Sequence, residues 1–323
     1  MLKLLQSIFG SDTGGSYPES LVKEAIERAV DGTDPWLRAV SGYKKKLRPA
    51  VIRTIDHVVA LVDALPSPMA VHLGSYSDDL RLKSFFVSAI HMKKMFAEDR
   101  SLAEFLQGPG GGSPQIFALL AMEKQEKAIF GSALSGDIVI RDVPQITVSF
   151  DAHRLIDPTG DEGETRRLLK RRAFDHLLSM ALKRLTAVKW EREDLERRRS
   201  LLQAKQNLLE REGWGFDEAD AAGKLGPAEV EERLGEIEGQ LKELGGDDRM
   251  LEAYLKIVAD VLGRPEEHFW ARTETIFVDR MGIKQNEAAN DAPELTFGEL
   301  HNAEGRSLVA MLVSLQGGEL RGG

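Results

Sequence analysis

The 323-residue sequence predicts an α+β protein, mainly helical. A helical N-terminal region packs with a small antiparallel β-sheet, and a long antiparallel coiled-coil hairpin is inserted between strands of that sheet. Three observations carry this reading. Apolar residues recur every seven positions from Phe174 to Leu209 and are answered by a second apolar stripe from Val230 to Leu262. Apolar and polar residues alternate with period two ahead of that block, and strand-like segments follow it. Ahead of it, residues 17–131 read as capped segments of helical period.

The chain opens with "MLKLLQSIFGSDTGGS". Leu2, Leu5 and Phe9 share one helical face with Leu4 and Ile8 beside it, and residues 10–16 form a flexible linker. Residues 1–16 are therefore an amphipathic segment on a tether. Leu2, Leu5, Ile8 and Phe9 are its candidate contacts with a membrane surface or a partner's groove. Docking onto the protein's own body is the plainer alternative. Alone, so short an anchor holds weakly and needs a second contact.

In the helical region, Pro18 suits the first turn of a helix in which Leu21, Ala25, Ile26 and Ala29 share a face. "TDPWLRAV" restarts with Thr33 or Asp34 as cap. "RPAVIRTIDHVVALVDAL" stripes Val51, Ile55, Val58, Val59 and Val62, and "SDDLRLKSFFVSAI" begins with acids. "SPQIFALLAMEKQEKAIF" is expected to be a further helix, with Ser113 as cap and Pro114 after it. The intervening "GPGGGSP" lacks the Lys and Ser/Thr of a phosphate-cradling loop and reads as a plain loop.

Residues 132–160 and 264–318 form the sheet region. Ile138 and Ile140 alternate, as do Ile146, Val148 and Phe150, giving one strand or a hairpin bent near Pro144. After the arm, "HFWARTETIFVDRMGI", "PELTFGELH" and "GRSLVAMLVSLQ" are strands, the last continuously apolar and so covered on both faces. Residues 319–323 are a tail.

The arm spans 161–263. Asp161 caps it, Glu164 follows three residues on, and Gly213 stops its first limb. Phe174, Ala181, Val188, Leu195, Leu202 and Leu209 keep the heptad, with Leu178 and Leu185 and then Arg192, Arg199 and Gln206 as companions. The return limb steps Val230, Leu234, Ile237, Leu241 and Leu244, and resumes in phase at Leu251, Leu255, Val258 and Leu262. Basic residues crowd the first limb and acids the second, the pattern of flanks that pair with each other. Between the limbs, Trp214 and Phe216 are candidate partner-binding residues at the arm tip, or a staple across its end.

Composition excludes several classes. There is no cysteine, hence no disulfide framework, thiolate metal site or cysteine nucleophile. A net charge of −9 and a pI near 5.4 disfavour nucleic acid as a partner. No apolar run reaches the ~18 residues of a membrane span, and Lys3 and Gln6 break the N-terminal stretch that a secretory signal would need. The seven histidines have no metal-site spacing, and no nucleophile elbow or dinucleotide fingerprint occurs. No catalytic residue, metal or cofactor is therefore assigned. The expectation is a cytoplasmic, non-enzymatic scaffold or adaptor. It engages protein partners through its coiled-coil arm, with a weak contact to the inner membrane surface through its N-terminal segment. The sequence leaves its oligomeric state open. The alternative is an enzyme or small-ligand-binding protein with a pocket between helical region and sheet.

Overall fold

A computed structural model describes residues 17–72, 74, 76–135, 138–211, 226–245, 249–289 and 292–320. The fold is α+β, with a mostly antiparallel sheet and a 50-residue helix lying between two of its strands in sequence. The chain forms two compact units, Ile55–Phe174 with Pro265–Gly323, and Gly15–Thr54 with Asp175–Arg264.

The first unit holds the sheet. Its strands are β1 (Met69–Val71), β2 (Gln115–Ser135), β3 (Ile138–Thr159), β4 (Phe269–Val278), β5 (Lys284–Gln285), β6 (Glu294–Asn302) and β7 (Ser307–Gln316), in the order β3-β2-β7-β6-β4-β5. The short β1 runs parallel to β7, beside Val313 to Leu315. β7 is central because its residues from Val309 to Leu315 are all buried, which only a strand covered on both faces allows. One face carries Phe150, Phe297, Val309, Met311 and Val313 under three short helices, one of which adds Phe85 to the same core. These are α3 (Leu80–Phe85), α4 (Ala89–Glu98) and α5 (Arg100–Gln107). The other face sets Leu119, Ala310 and Leu312 against Leu61, Val62 and Leu65, together with Leu169. The sheet curls until β3 meets the turn before β5: Thr147 bridges to Ile283, and the Val148 N–H donates to the Gly282 carbonyl at 2.7 Å.

Residues 115–130 correct the helix expected there; they belong to β2, paired with β7 from Gln115 to Met122 and with β3 from Phe117 onward. Leu, Met, Glu and Lys are good helix formers, and Glu123 with Lys127 looks like a helical i,i+4 pair. A helix, however, buries one stripe. Here Ile116, Ala118, Leu120 and Met122 enter one core while Leu119 enters the other, so consecutive residues are all buried. The same pairing makes β3 longer than its alternation shows. It reaches Thr159, takes Pro144 in stride opposite Phe130, and carries an extra residue at each of three bulges. Asp142, Ala152 and Asp157 sit at those bulges with φ of 58°, 52° and 51°.

The second unit is helical. It contains α1 (Glu19–Asp31), a 3₁₀ turn at Pro35–Ala39 capped by Asp34, and the first half of α2 (Tyr43–Asp63). The rest is α6 (Glu162–Arg211) beyond Phe174, then α7 (Pro227–Glu243) and α8 (Met250–Gly263). At 1.5 Å per residue the 50 residues of α6 measure about 75 Å. Asp161 caps α6 by accepting from the Glu164 N–H at 2.8 Å. Its own N–H donates to Thr159 Oγ1 rather than to the Glu164 side chain, so the box closes through a threonine. The heptad is the seam: Leu195 packs with Ile237 and Leu241, and Leu202 and Leu244 lie against them. Arg192, a companion position, is buried in this seam at 4 % exposure, bonds the Gly245 carbonyl, and pairs with Glu196 at 2.8 Å. Some ion pairs of the arm run along one helix, Arg198 to Asp194 at 2.6 Å and Arg233 to Glu229 at 2.9 Å, while others leave the arm, such as Lys189 to Asp34 at 2.6 Å and Glu252 to Lys46 at 3.1 Å. No described helix is long and apolar enough to cross a membrane.

Candidate functional site

The densest chemistry in the sheet unit is an ionic cluster on the face that α3 to α5 cover. On β4 the alternation that buries Val278 and Ile276 brings Glu274 to the same face. On β6 the register of Leu295 and Phe297 does the same for Glu299, and on β2 that of Leu120 and Met122 brings up Lys124 and Glu126. Lys124 is the hub, its side chain 13 % exposed. Its ammonium pairs with Glu274, lies 3.5 Å from Glu126 and 3.8 Å from Glu299, and stands 5.9 Å from the centre of the Phe297 ring. Lys284 of β5 closes the far side, 3.0 Å from Glu126 and 3.9 Å from Glu274. His301 follows, 3.3 Å from Glu299 and stacked on Trp270.

The electrostatics are those of a satisfied network. Burial opposes the Lys124 charge, but the hydrogen bond and charge of Glu274, with Glu299 and Glu126, outweigh it and hold the amine above its ordinary pKa. Burial likewise works against Glu126, and Lys284 and Lys124 overcome it and hold the carboxyl below its usual range. The ammonium stands where the carboxylates converge, the place a hard cation would otherwise take. Among the described residues no group of three His, Cys, Asp or Glu is arranged to hold a metal.

A second cluster lies at the start of α4. His153, beside the Ala152 bulge, approaches the Phe85 carbonyl with Nε2 at 2.7 Å and stacks on Phe86 at 4.8 Å. The His91 ring meets it edge-on at 5.4 Å. Burial pushes the His153 pKa down, and the neighbouring His91 adds to this; the Phe85 carbonyl and Asp151 act the other way without cancelling it. A histidine whose folded pKa is depressed binds fewer protons in the native state. Stability is therefore expected to fall as pH drops below the unfolded value of about 6.5, and to level off below the folded value. Urea midpoints at descending pH read this slope, and His153→Gln is expected to flatten it while retaining the bond to Phe85.

A groove of about 600 Å³ lies in the same unit, where Arg81 and Phe85 of α3 face the 66–70 segment and Glu294, Thr296 and Met311 of the sheet.

Leu2, Leu5, Ile8 and Phe9, and Trp214 and Phe216 of the arm tip, lie outside the described residues. What sequence reasoning missed is the Lys124 cluster. Its signal is a charge at a period-two position continuing an apolar face, as in Glu274-Thr-Ile276-Phe-Val278 and Leu295-Thr-Phe297-Gly-Glu299. On β2 the helical reading of residues 113–130 hid it. The arm carries a feature that the heptad alone does not show. Trp190, Leu201 and Leu208 stay 74 %, 67 % and 57 % exposed. At 100° per residue they fall within about 20° of one another, on a flank away from the seam.

The chain matches no family model, no curated protein and no solved structure.

Proposed function

We propose that the chain is a non-enzymatic scaffold or adaptor that engages protein partners through its coiled-coil arm. The observation that carries this is the exposed stripe of Trp190, Leu201 and Leu208 beside a seam that is already filled by Leu195, Ile237 and Leu241. The seam accounts for the arm's pairing, so the flanking apolar residues serve something else. Exposed aromatic and leucine side chains in line on one helix suit the knobs of a partner helix. Trp214 and Phe216 extend the same reading to the arm tip. A cytoplasmic setting, with Leu2, Leu5, Ile8 and Phe9 supplying a weak membrane-surface contact, belongs to this proposal. Nucleic acid does not, given the net charge of −9.

The test places a photo-crosslinking residue at Leu201, and at the exposed Gln203 as a control, in the full chain in its native host. A discrete adduct at position 201 that disappears in Trp190→Ala/Leu208→Ala is expected. Melting of that variant should shift little, since surface changes stay within ~0.5 kcal/mol each. Identical labelling at both positions, or none, would overturn the proposal. A second reading, ligand binding between helices and sheet, is favoured by the groove beside Arg81, Glu294 and Thr296. Thermal shift with a metabolite panel, repeated on Thr296→Trp, separates it from the first.

A further inference from the structure

The hairpin of β2 and β3 outruns the sheet. β7 stops pairing with β2 at Met122, and β2 continues to Ser135 with β3 alone. Thirteen residues, 123–135, thus form one strand of a ribbon about 40 Å long at ~3.3 Å per residue. Beyond the bridge at Thr147 this ribbon exposes large apolar groups on both faces: Phe130 at 78 %, Val139 at 58 %, Ile140 at 48 %, Ile146 at 43 % and Ile129 at 39 %. A two-stranded ribbon is marginal in water by itself.

Its two edges differ. The β3 edge is guarded, because Asp142 sits in a bulge at φ 58° and Pro144 has no N–H to offer. The β2 edge from 123 to 135 has no proline, its bulges place their extra residues on β3, and no described strand pairs with it. The open edge is therefore β2, with Ile129 at its midpoint.

We propose that this edge pairs with the same edge of a second copy of the chain. The strands run antiparallel about a two-fold axis at Ile129, giving a four-stranded β3-β2-β2-β3 sheet. A two-fold contact must be self-complementary, and the charges favour this arrangement. Full overlap of 123–135 with itself sets Glu123, Lys124, Glu126 and Lys127 opposite residues 135, 134, 132 and 131, none of them charged. A parallel in-register pairing would set Glu on Glu and Lys on Lys, which is destabilising. Antiparallel pairing also puts Phe130 across from Ala128 of the second copy and Ile129 beside its own counterpart at the axis. Thirteen residues per copy is below the ~20–30 of a standard interface, so the dimer forms in the micromolar range rather than tightly.

The chain has no cysteine, which permits a direct test of register. Sedimentation of the full chain from low to high micromolar concentration is expected to show a monomer–dimer equilibrium. Ile129→Lys, an exposed position that leaves the fold intact, should weaken it at least about tenfold. Under mild oxidant, Ile129→Cys should link to itself, since directly opposed strand residues lie within disulfide reach. Gln125→Cys, opposite residue 133, should not. A chain that stays monomeric throughout, a dimer indifferent to Ile129→Lys, or faster linking at 125 than at 129 would each overturn the proposal.

Discussion

Phe85→Ala is expected to cost the sheet unit about 3–5 kcal/mol, the range for truncating a buried phenylalanine where neighbours cannot collapse. Phe85 is 2 % exposed at the end of α3. Its ring meets Phe150 of β3 edge-on at 4.9 Å and Phe297 of β6 at 6.4 Å, so it clamps two strands that are not neighbours in the sheet. Both partners belong to ordered strands, and a cavity there has little means of closing. The loss is read from urea unfolding followed by fluorescence of Trp270, the tryptophan of that unit, as a shift in midpoint at unchanged slope. A loss below about 1 kcal/mol would mean that the helices over this face contribute little to holding it.

Lys124→Met is the second large effect. It keeps the aliphatic stem and removes the charge that Glu274, Glu299 and Glu126 share. Breaking a fully buried pair costs about 3–5 kcal/mol; with Glu274 still 26 % exposed to screening solvent, about 2–3 kcal/mol is expected. The pH dependence gives a sharper signature. In the wild type the depressed Glu126 pKa contributes stability that is present above the unfolded carboxylate value of about 4.3 and is lost as pH falls through the folded value. Without the ammonium, crowded carboxylates favour protonation, so the variant is expected to gain stability between neutral pH and about pH 5. Adding Glu274→Gln should recover part of the loss at pH 7. A variant whose stability follows the wild-type pH profile would show that Lys124 does not govern the cluster.

The sequence was informative wherever one period ruled a long stretch. The heptad through Leu195 and Leu202 and the steps from Val230 to Leu241 place the arm's seam, because coiled-coil pairing is local, repetitive and written in spacing. The continuous apolar run of β7 announced a strand covered on both faces for a similar reason. Asp161 as cap was legible too, while Thr159 as the acceptor for its N–H was not, since that bond depends on how β3 delivers the chain into α6.

By itself, then, the sequence determined the α+β class and the helical arm between strands. Tertiary structure alone decided the state of residues 115–130. Their side chains favour a helix locally, and only pairing with β3, joined by β7 as far as Met122 where cores lie on both faces, makes a strand of lower free energy. It also decided the Lys124 cluster. A lysine, three glutamates and a second lysine drawn from residues 124 to 299 acquire meaning only when β2, β6, β4 and β5 bring each within 4 Å of an opposite charge. Long-range pairing of this kind leaves no period in the chain. It follows from strand register, which burial of the whole sheet sets at once.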